Sequence, residues 1–170
     1  MHGAFDSPAT GMFAYRGRLY PDYIKNGNAC RFIAPVALEF CKGYGFDIGA
    51  GRWPLPGARP VDIVNGDDAT ALPDLIVDYI FSSHCLEHLV NPVAALRHWK
   101  SHLKPGRPMF LYLPHPEMEY WLPQHNHKHL HTWHPGQMQR LLEDLGFVNV
   151  LRSERDMYWS FSVVGFAPNG

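Results

Sequence analysis

The sequence predicts an α/β fold: a doubly wound, mostly parallel sheet that ends in an antiparallel C-terminal hairpin. Three observations lead there. From about residue 44 onward, short apolar runs alternate with amphipathic stretches of helical period. One run, LIVDYIFSS at residues 75–83, is nearly continuously apolar, as expected of a strand buried on both faces of a parallel sheet. The chain then closes with FVNVLRSERD and YWSFSVVGFAP, two strand-like segments joined tightly enough to pair as a hairpin.

A length of 170 residues suits one domain, here read as 1–170 with an N-terminal helical segment over 1–43 and a core over 44–170. Hydrophobic residues make up 46% and charged residues 18%, which excludes global disorder. Lys plus Arg number 15 against 16 Asp plus Glu, a net charge of -1, so there is no basic excess for a nucleic-acid partner. The N-terminus lacks a basic-then-apolar leader and no apolar run reaches bilayer length, so membrane insertion is not expected and a cytoplasmic location follows by default. Cys30, Cys41 and Cys85 are too scattered for a disulfide framework and read as reduced thiols.

In chain order, NACRFIAPVALEFC places Phe32, Ile33, Val36, Ala37 and Phe40 at helical spacing, with Pro35 marking a kink or the true start. YGFDIGAG couples a short strand to a glycine turn, and PVDIV is a second strand. After LIVDYIFSS, Asn91 caps a helix with Pro92 at its first position, and Lys104, Pro105 and Gly106 end it. MFLYLP follows as a strand. A loop of roughly twenty residues, rich in His and aromatics, leads to HPGQMQRLLEDLG, with His134 at the N-cap and Trp133 and Met138 able to form a hydrophobic staple.

In an open parallel sheet the ligand lies beyond the carboxyl ends of the strands, where the turn after the first strand needs glycine for close approach. DIGAG at 47–51 occupies that place, Asp62 ends the second strand where a carboxylate can accept from both hydroxyls of a ribose, and SSHCLEHL ends the third. The ordered set of DIGAG, VDI, GDDA, DYIFSSHCLEHL and LKPG before a strand ending LP resembles the class I S-adenosylmethionine-dependent methyltransferases, nearest to small-molecule enzymes of the quinone-biosynthesis type. The resemblance runs from about Gly45 to the C-terminus and implies a Rossmann-like core.

It further implies a cofactor, S-adenosylmethionine, with S-adenosylhomocysteine as product. Asp47, Gly49 and Gly51, with Ala50 between the glycines, would line its methionine and ribose. Asp62 beside Ile63 would hold the ribose hydroxyls, Asp68 and Ala69 would border the adenine, and Ser83 and His84 would face the methionine end and the substrate. His84 and His115 are the candidates for a catalytic base. No Asp/Asn-Pro-Pro-Tyr segment follows IFSS, which argues against adenine or glutamine amino groups and leaves a small-molecule acceptor.

The chain departs from the family pattern at one edge. GRWPLPGARP leaves room for a turn of helix at most after the first strand, and NGDD replaces the usual helix and strand after the second, so a trimmed sheet edge is expected. Such an edge also suits a non-catalytic interaction module or self-association into a homo-oligomer. A third reading takes HCLEH at 84–88 as the HxxEH pattern of zinc hydrolases, which requires helix there and a third ligand, Glu154 by arithmetic. Asp78 reads as a structural carboxylate, and Glu87 with His88 as a capping and packing pair below the site. His125, His127, His129 and His131 would share one side of an extended segment, as a metal-binding row or as a solvated lid. No metal is assigned on the sequence alone.

Overall fold

The computed structural model describes residues 11–170; the first ten lie outside the described residues. Eight strands and four α-helices follow in the order β1 (Met12–Tyr15), β2 (Arg18–Pro21), α1 (Tyr23–Asn26), α2 (Cys30–Phe40), β3 (Gly45–Ile48), β4 (Arg59–Val61), β5 (Tyr79–Ser83), α3 (Pro92–Ser101), β6 (Pro108–Pro114), α4 (Pro135–Asp144), β7 (Val148–Arg152) and β8 (Ser160–Phe166). The main sheet runs β4-β3-β5-β6-β8-β7. β4, β3, β5 and β6 are parallel, and β8 is antiparallel to both β6 and β7. The expected α/β class, parallel sheet and antiparallel end are all present.

Strand periodicity explains how this sheet carries two cores. Along β6, Met109, Leu111 and Leu113 join α3 and α4 on one face, through Leu96, Trp99, Met138 and Leu142. Phe110 and Tyr112 point to the opposite face, where they meet Tyr20, Ile33 and Ala37 of the N-terminal elements. A strand enclosed on both sides must be apolar throughout, and all seven residues of β6 are buried.

The N-terminal segment holds the expected helices, α1 and α2, and ahead of them strands that were not expected. The β1–β2 hairpin is a separate two-stranded sheet whose turn residues Arg16 and Gly17 both have positive φ (49° and 79°). That is the dihedral pattern of a two-residue turn matched to strand twist. Pro35 lies inside α2 on its exposed side, so the helix starts upstream of it at Cys30.

The apolar run at 75–83 is also shorter as a strand than as a sequence. Leu75 and Ile76 are 41% and 57% exposed, and the strand begins at Tyr79. Asp78 anchors that entry by accepting from the Tyr44 N–H (3.0 Å), Lys104 Nζ (2.9 Å) and Arg107 (3.2 Å), which holds its carboxyl below the usual range, the Tyr44 N–H contributing most. Asn91 caps α3 by accepting from the Ala94 N–H at 3.1 Å. Trp133 and Met138 are buried in the same core cluster at the start of α4.

The trimmed edge is visible at β4. Residues 49–58 hold only turns between β3 and β4, and between β4 and β5 the chain makes a single 3-10 turn at Ile63–Asn65 and the tight turn 68–71. Cys30, Cys41 and Cys85 are buried free thiols. Among the described residues, no helix is long and apolar enough to cross a membrane.

Candidate active site

The carboxyl ends of β3 and β5 open on one cleft of about 630 Å³. Its floor is Asp47, Gly49, Ala50, Gly51, Ser83 and His84, six of the positions expected from sequence. Gly49 has φ 78°, and a Cβ there would lie 2.5 Å from the Cys85 Sγ, so the turn after β3 presses directly on the segment after β5. Gly51, at φ 54°, has open space where its Cβ would stand. The first glycine serves backbone packing and the second leaves a ligand room.

Asp47 is 1% exposed. Its Oδ2 accepts from the Leu55 N–H at 2.7 Å, which folds the proline-rich 52–60 segment back on the strand, while Oδ1 is buried without a partner. Burial pushes its carboxyl up to about 7, against the pull of the Leu55 N–H. Asp62 stands at the end of β4. Its Oδ2 accepts from the Gly51 N–H (3.0 Å) and its Oδ1 from the Val64 N–H (3.1 Å), so it caps the 3-10 turn and braces the glycine turn at once. Ile63 beside it is 82% exposed.

Five expected residues do not line the cleft: Asp62 and Ile63, which stand beside it, and Asp68, Ala69 and His115. Asp68 caps an exposed turn through Thr70, whose backbone N–H and hydroxyl lie at 2.7 and 2.8 Å and lower its pKa. The Ala69 carbonyl accepts from the Trp99 Nε1–H at 2.6 Å, tying that turn to α3. Neither lines the cleft, because with no helix or strand to fill the trimmed edge the turn is drawn onto α3 instead. His115 does not line it either: its Nδ1 accepts from the Glu117 N–H (3.2 Å), and its ring lies edge-on to Phe161.

His84 follows β5 with φ 51°, which swings its ring out of the sheet and over the cleft. Its Nε2 bonds the Ser160 hydroxyl at 2.9 Å and its ring stands edge-on to Trp121, centroids 4.7 Å apart. Burial, then His129 and His88, push its pKa down to about 3, so the imidazole is neutral. Glu87 lies behind it, with His84 Nδ1 and His88 Nε2 each 3.8 Å from its Oε1. Burial raises Glu87 to about 8 and lowers both histidines, so these pairs are neutral neighbours near pH 7 and no ion pair forms.

Residues 84–88 are not α-helical: only Leu86–His88 form a 3-10 turn, and Glu154 is exposed and paired with Arg152. The HxxEH arrangement, two histidines one α-turn apart with Glu154 as third ligand, is therefore not formed. The histidine-rich loop is likewise not one row. His125 bonds the Glu119 carbonyl (2.7 Å) and Arg16, His131 bonds the Leu89 carbonyl (2.8 Å), His127 is exposed, and His129 turns inward. Turns break the alternation that an extended chain would impose.

The cleft's other wall combines segments far apart in sequence. Tyr23, Ile24, Asn28 and Cys30 come from the N-terminal elements, joined by Trp53, Tyr120 and Trp121. The Trp121 Nε1–H donates to the Ile24 carbonyl (3.2 Å), fastening the loop after β6 to α1. The aromatics Tyr120 and Trp121 after β6 were legible as pocket candidates from sequence; the particular N-terminal residues they meet were not.

A parallel sheet with a glycine turn, a carboxylate at the neighbouring strand end and a cleft over the carboxyl edge defines an α/β domain that binds a nucleoside-bearing cofactor. Residues 25–152 match the family described as Methyltransferase domain, and the chain belongs to that family, as a class I S-adenosylmethionine-dependent methyltransferase. A search of the curated proteins returned no match in sequence. Among solved structures, similarity in fold extends to a chain of the complex containing the Haloferax volcanii Trm112 methyltransferase activator (16% identity, 87% of this chain and 94% of that one, TM-score 0.66). It extends also to a SAM-dependent methyltransferase from Archaeoglobus fulgidus (18%, 85% and 97%, 0.66). A third is the Haemonchus contortus phosphoethanolamine N-methyltransferase 2 in complex with S-adenosyl-L-methionine (12%, 79% and 52%, 0.58).

The cofactor of this family is S-adenosylmethionine, and the residues present fit it. Asp47 Oδ1 is an orphaned acceptor on the cleft wall, Gly51 leaves space beside it, and Asp62 stands one strand over.

Proposed function

We propose that the protein methylates a small-molecule acceptor held between His84, Trp121 and the N-terminal elements. The observation that carries this reading is the shared cleft: Gly49 to Gly51 and the aromatic wall of Tyr23, Tyr120 and Trp121 line one concavity, of a size usual for small ligands. When bound, S-adenosylmethionine supplies an activated methyl group on a sulfonium centre. Asp47, through its unpartnered Oδ1, would hold the cofactor's ammonium group and Asp62 its ribose, with the Gly49–Gly51 backbone allowing close approach. Ser83 and His84 lie at the acceptor end.

His84 orients the acceptor through a neutral imidazole. With its pKa near 3 it is a weak base around neutrality, so holding the acceptor in line is the larger contribution. The charge balance of -1 supports a small acceptor over a polyanion, and the three buried thiols fit a reducing compartment such as the cytoplasm. Asp68, Ala69 and His115 have structural parts in this reading.

The test is calorimetry with S-adenosylhomocysteine, followed by transfer of labelled methyl groups to panels of small molecules, tRNA and proteins. One-to-one cofactor binding with transfer only to a small molecule supports the proposal. Transfer confined to a macromolecule overturns the acceptor class.

A further inference from the structure

Three side chains from two distant parts of the chain converge beside the cleft. Glu87, His88 and His129 each offer one ligand atom, and those atoms lie within 4.8 Å of one another. Glu87 is 0% exposed, yet neither of its carboxylate oxygens has a hydrogen-bond partner, and His129 Nδ1 is also buried and unpartnered. A carboxyl group stripped of water and left without partners is costly, so an arrangement of this kind points to a missing occupant.

The tautomer of His88 is set for that role. Its Nδ1 bonds the Lys128 carbonyl at 2.7 Å and so carries the proton, which leaves the Nε2 lone pair directed to Glu87, 3.8 Å away. A metal-ligating histidine characteristically donates its other ring N–H to a carbonyl in this way. The loop is pinned as well: the N–H groups of Leu130 and His131 both donate to the Glu87 carbonyl, at 2.8 and 3.2 Å, which seats His129 opposite the pair. Ligand atoms around a tetrahedral zinc stand about 3.3 Å apart, so a small side-chain adjustment closes the site.

We propose that Glu87, His88 and His129 bind a zinc-class divalent cation in the cleft wall. One carboxylate and two imidazoles suit zinc and its first-row neighbours better than calcium or magnesium, which prefer all-oxygen shells. His88 and His129 line the cleft and Glu87 lies behind them, so the free coordination positions face the acceptor space. The inference rests on the reading of that space as the acceptor site, and it selects acceptors with an oxygen or nitrogen donor able to complete the shell.

The experiment uses the full chain, stripped with chelator, dialysed, and titrated with zinc against a chromophoric competitor and with cobalt by visible absorption. One zinc per chain is expected, with tetrahedral-type cobalt bands. His129→Ala and Glu87→Gln should each weaken zinc binding on the order of 100-fold, whereas His127→Ala, on the same loop, should leave it unchanged. Circular dichroism confirms that each variant is folded, and His129→Ala covers the case in which the buried Glu87→Gln is not. Zinc binding that is substoichiometric, or that His127→Ala weakens as much as His129→Ala, overturns the proposal. S-adenosylhomocysteine affinity, measured on the same stripped protein, reports separately on the methyltransferase reading.

Discussion

Asp62 accepts the Gly51 N–H at 3.0 Å, so the carboxylate that ends β4 and the glycine turn that ends β3 form one hydrogen-bonded unit. The two features are eleven residues apart in sequence and are joined only because β3 and β4 pair in parallel, Ile48 beside Val61. Asp62→Ala is therefore expected to weaken S-adenosylhomocysteine binding about tenfold, since a hydrogen bond to a charged group is worth roughly 1.5–3 kcal/mol. The loss of the 3-10 cap lowers stability by about 1 kcal/mol alongside. Calorimetry and urea unfolding separate the two effects.

Gly49→Ala and Gly51→Ala should fail differently. At Gly49 a Cβ meets the Cys85 side chain at 2.4 Å, and stability should fall by about 3 kcal/mol from overpacking and positive φ together. At Gly51 nothing lies within 4 Å, so only the left-handed backbone counts, about 1 kcal/mol, while cofactor affinity drops because the new methyl group occupies ligand space. Denaturation midpoints and S-adenosylhomocysteine affinity, measured on both variants, check the contrast.

Asp47 makes stability depend on pH. Its folded pKa of about 7 lies above the ordinary 3.8, so the folded state holds the proton longer. The contribution is fully present below about pH 4 and is lost as pH rises through 7, at most on the order of 4 kcal/mol. Asp47→Asn should remove this share of the slope and leave the share of Glu87, whose carboxyl burial raises to about 8. Pairing with the cofactor's ammonium group favours the carboxylate, so S-adenosylhomocysteine should bind more tightly at about pH 8 than at about pH 6, and the variant should lack the difference.

Asp78 is a control for carboxylates outside the site. Its partners Lys104 and Arg107 are about half exposed, so Asp78→Ala should cost about 1 kcal/mol or less. Cofactor affinity should not change. His115→Ala should likewise leave S-adenosylhomocysteine affinity intact; a loss there would return His115 to the site.

What sequence could show was whatever is local. The Asn91 cap, the helix start at His134, the apolar run of β6 and the glycine turn after β3 all depend on neighbours within a few residues and stand as expected, whereas the run at 75–83 forms a strand only from Tyr79 and His134 makes no side-chain cap bond. The hairpin at Met12–Pro21 was legible in principle from the alternation around Arg16 and Gly17, but the helical pattern downstream dominated the reading of that segment.

The sequence by itself determined the class of fold, the glycine turn and the order of strand-end residues, because periodicity and turn chemistry are written in adjacent positions. Only the tertiary structure decided that Trp121 meets Ile24, that Asp68 leaves the cleft for α3, and that His129 turns in toward Glu87 and His88. Those placements depend on how two faces of one sheet are covered and on where loop backbone groups find partners in a buried setting. That balance of long-range packing and hydrogen-bond satisfaction has no signature in any single stretch of chain.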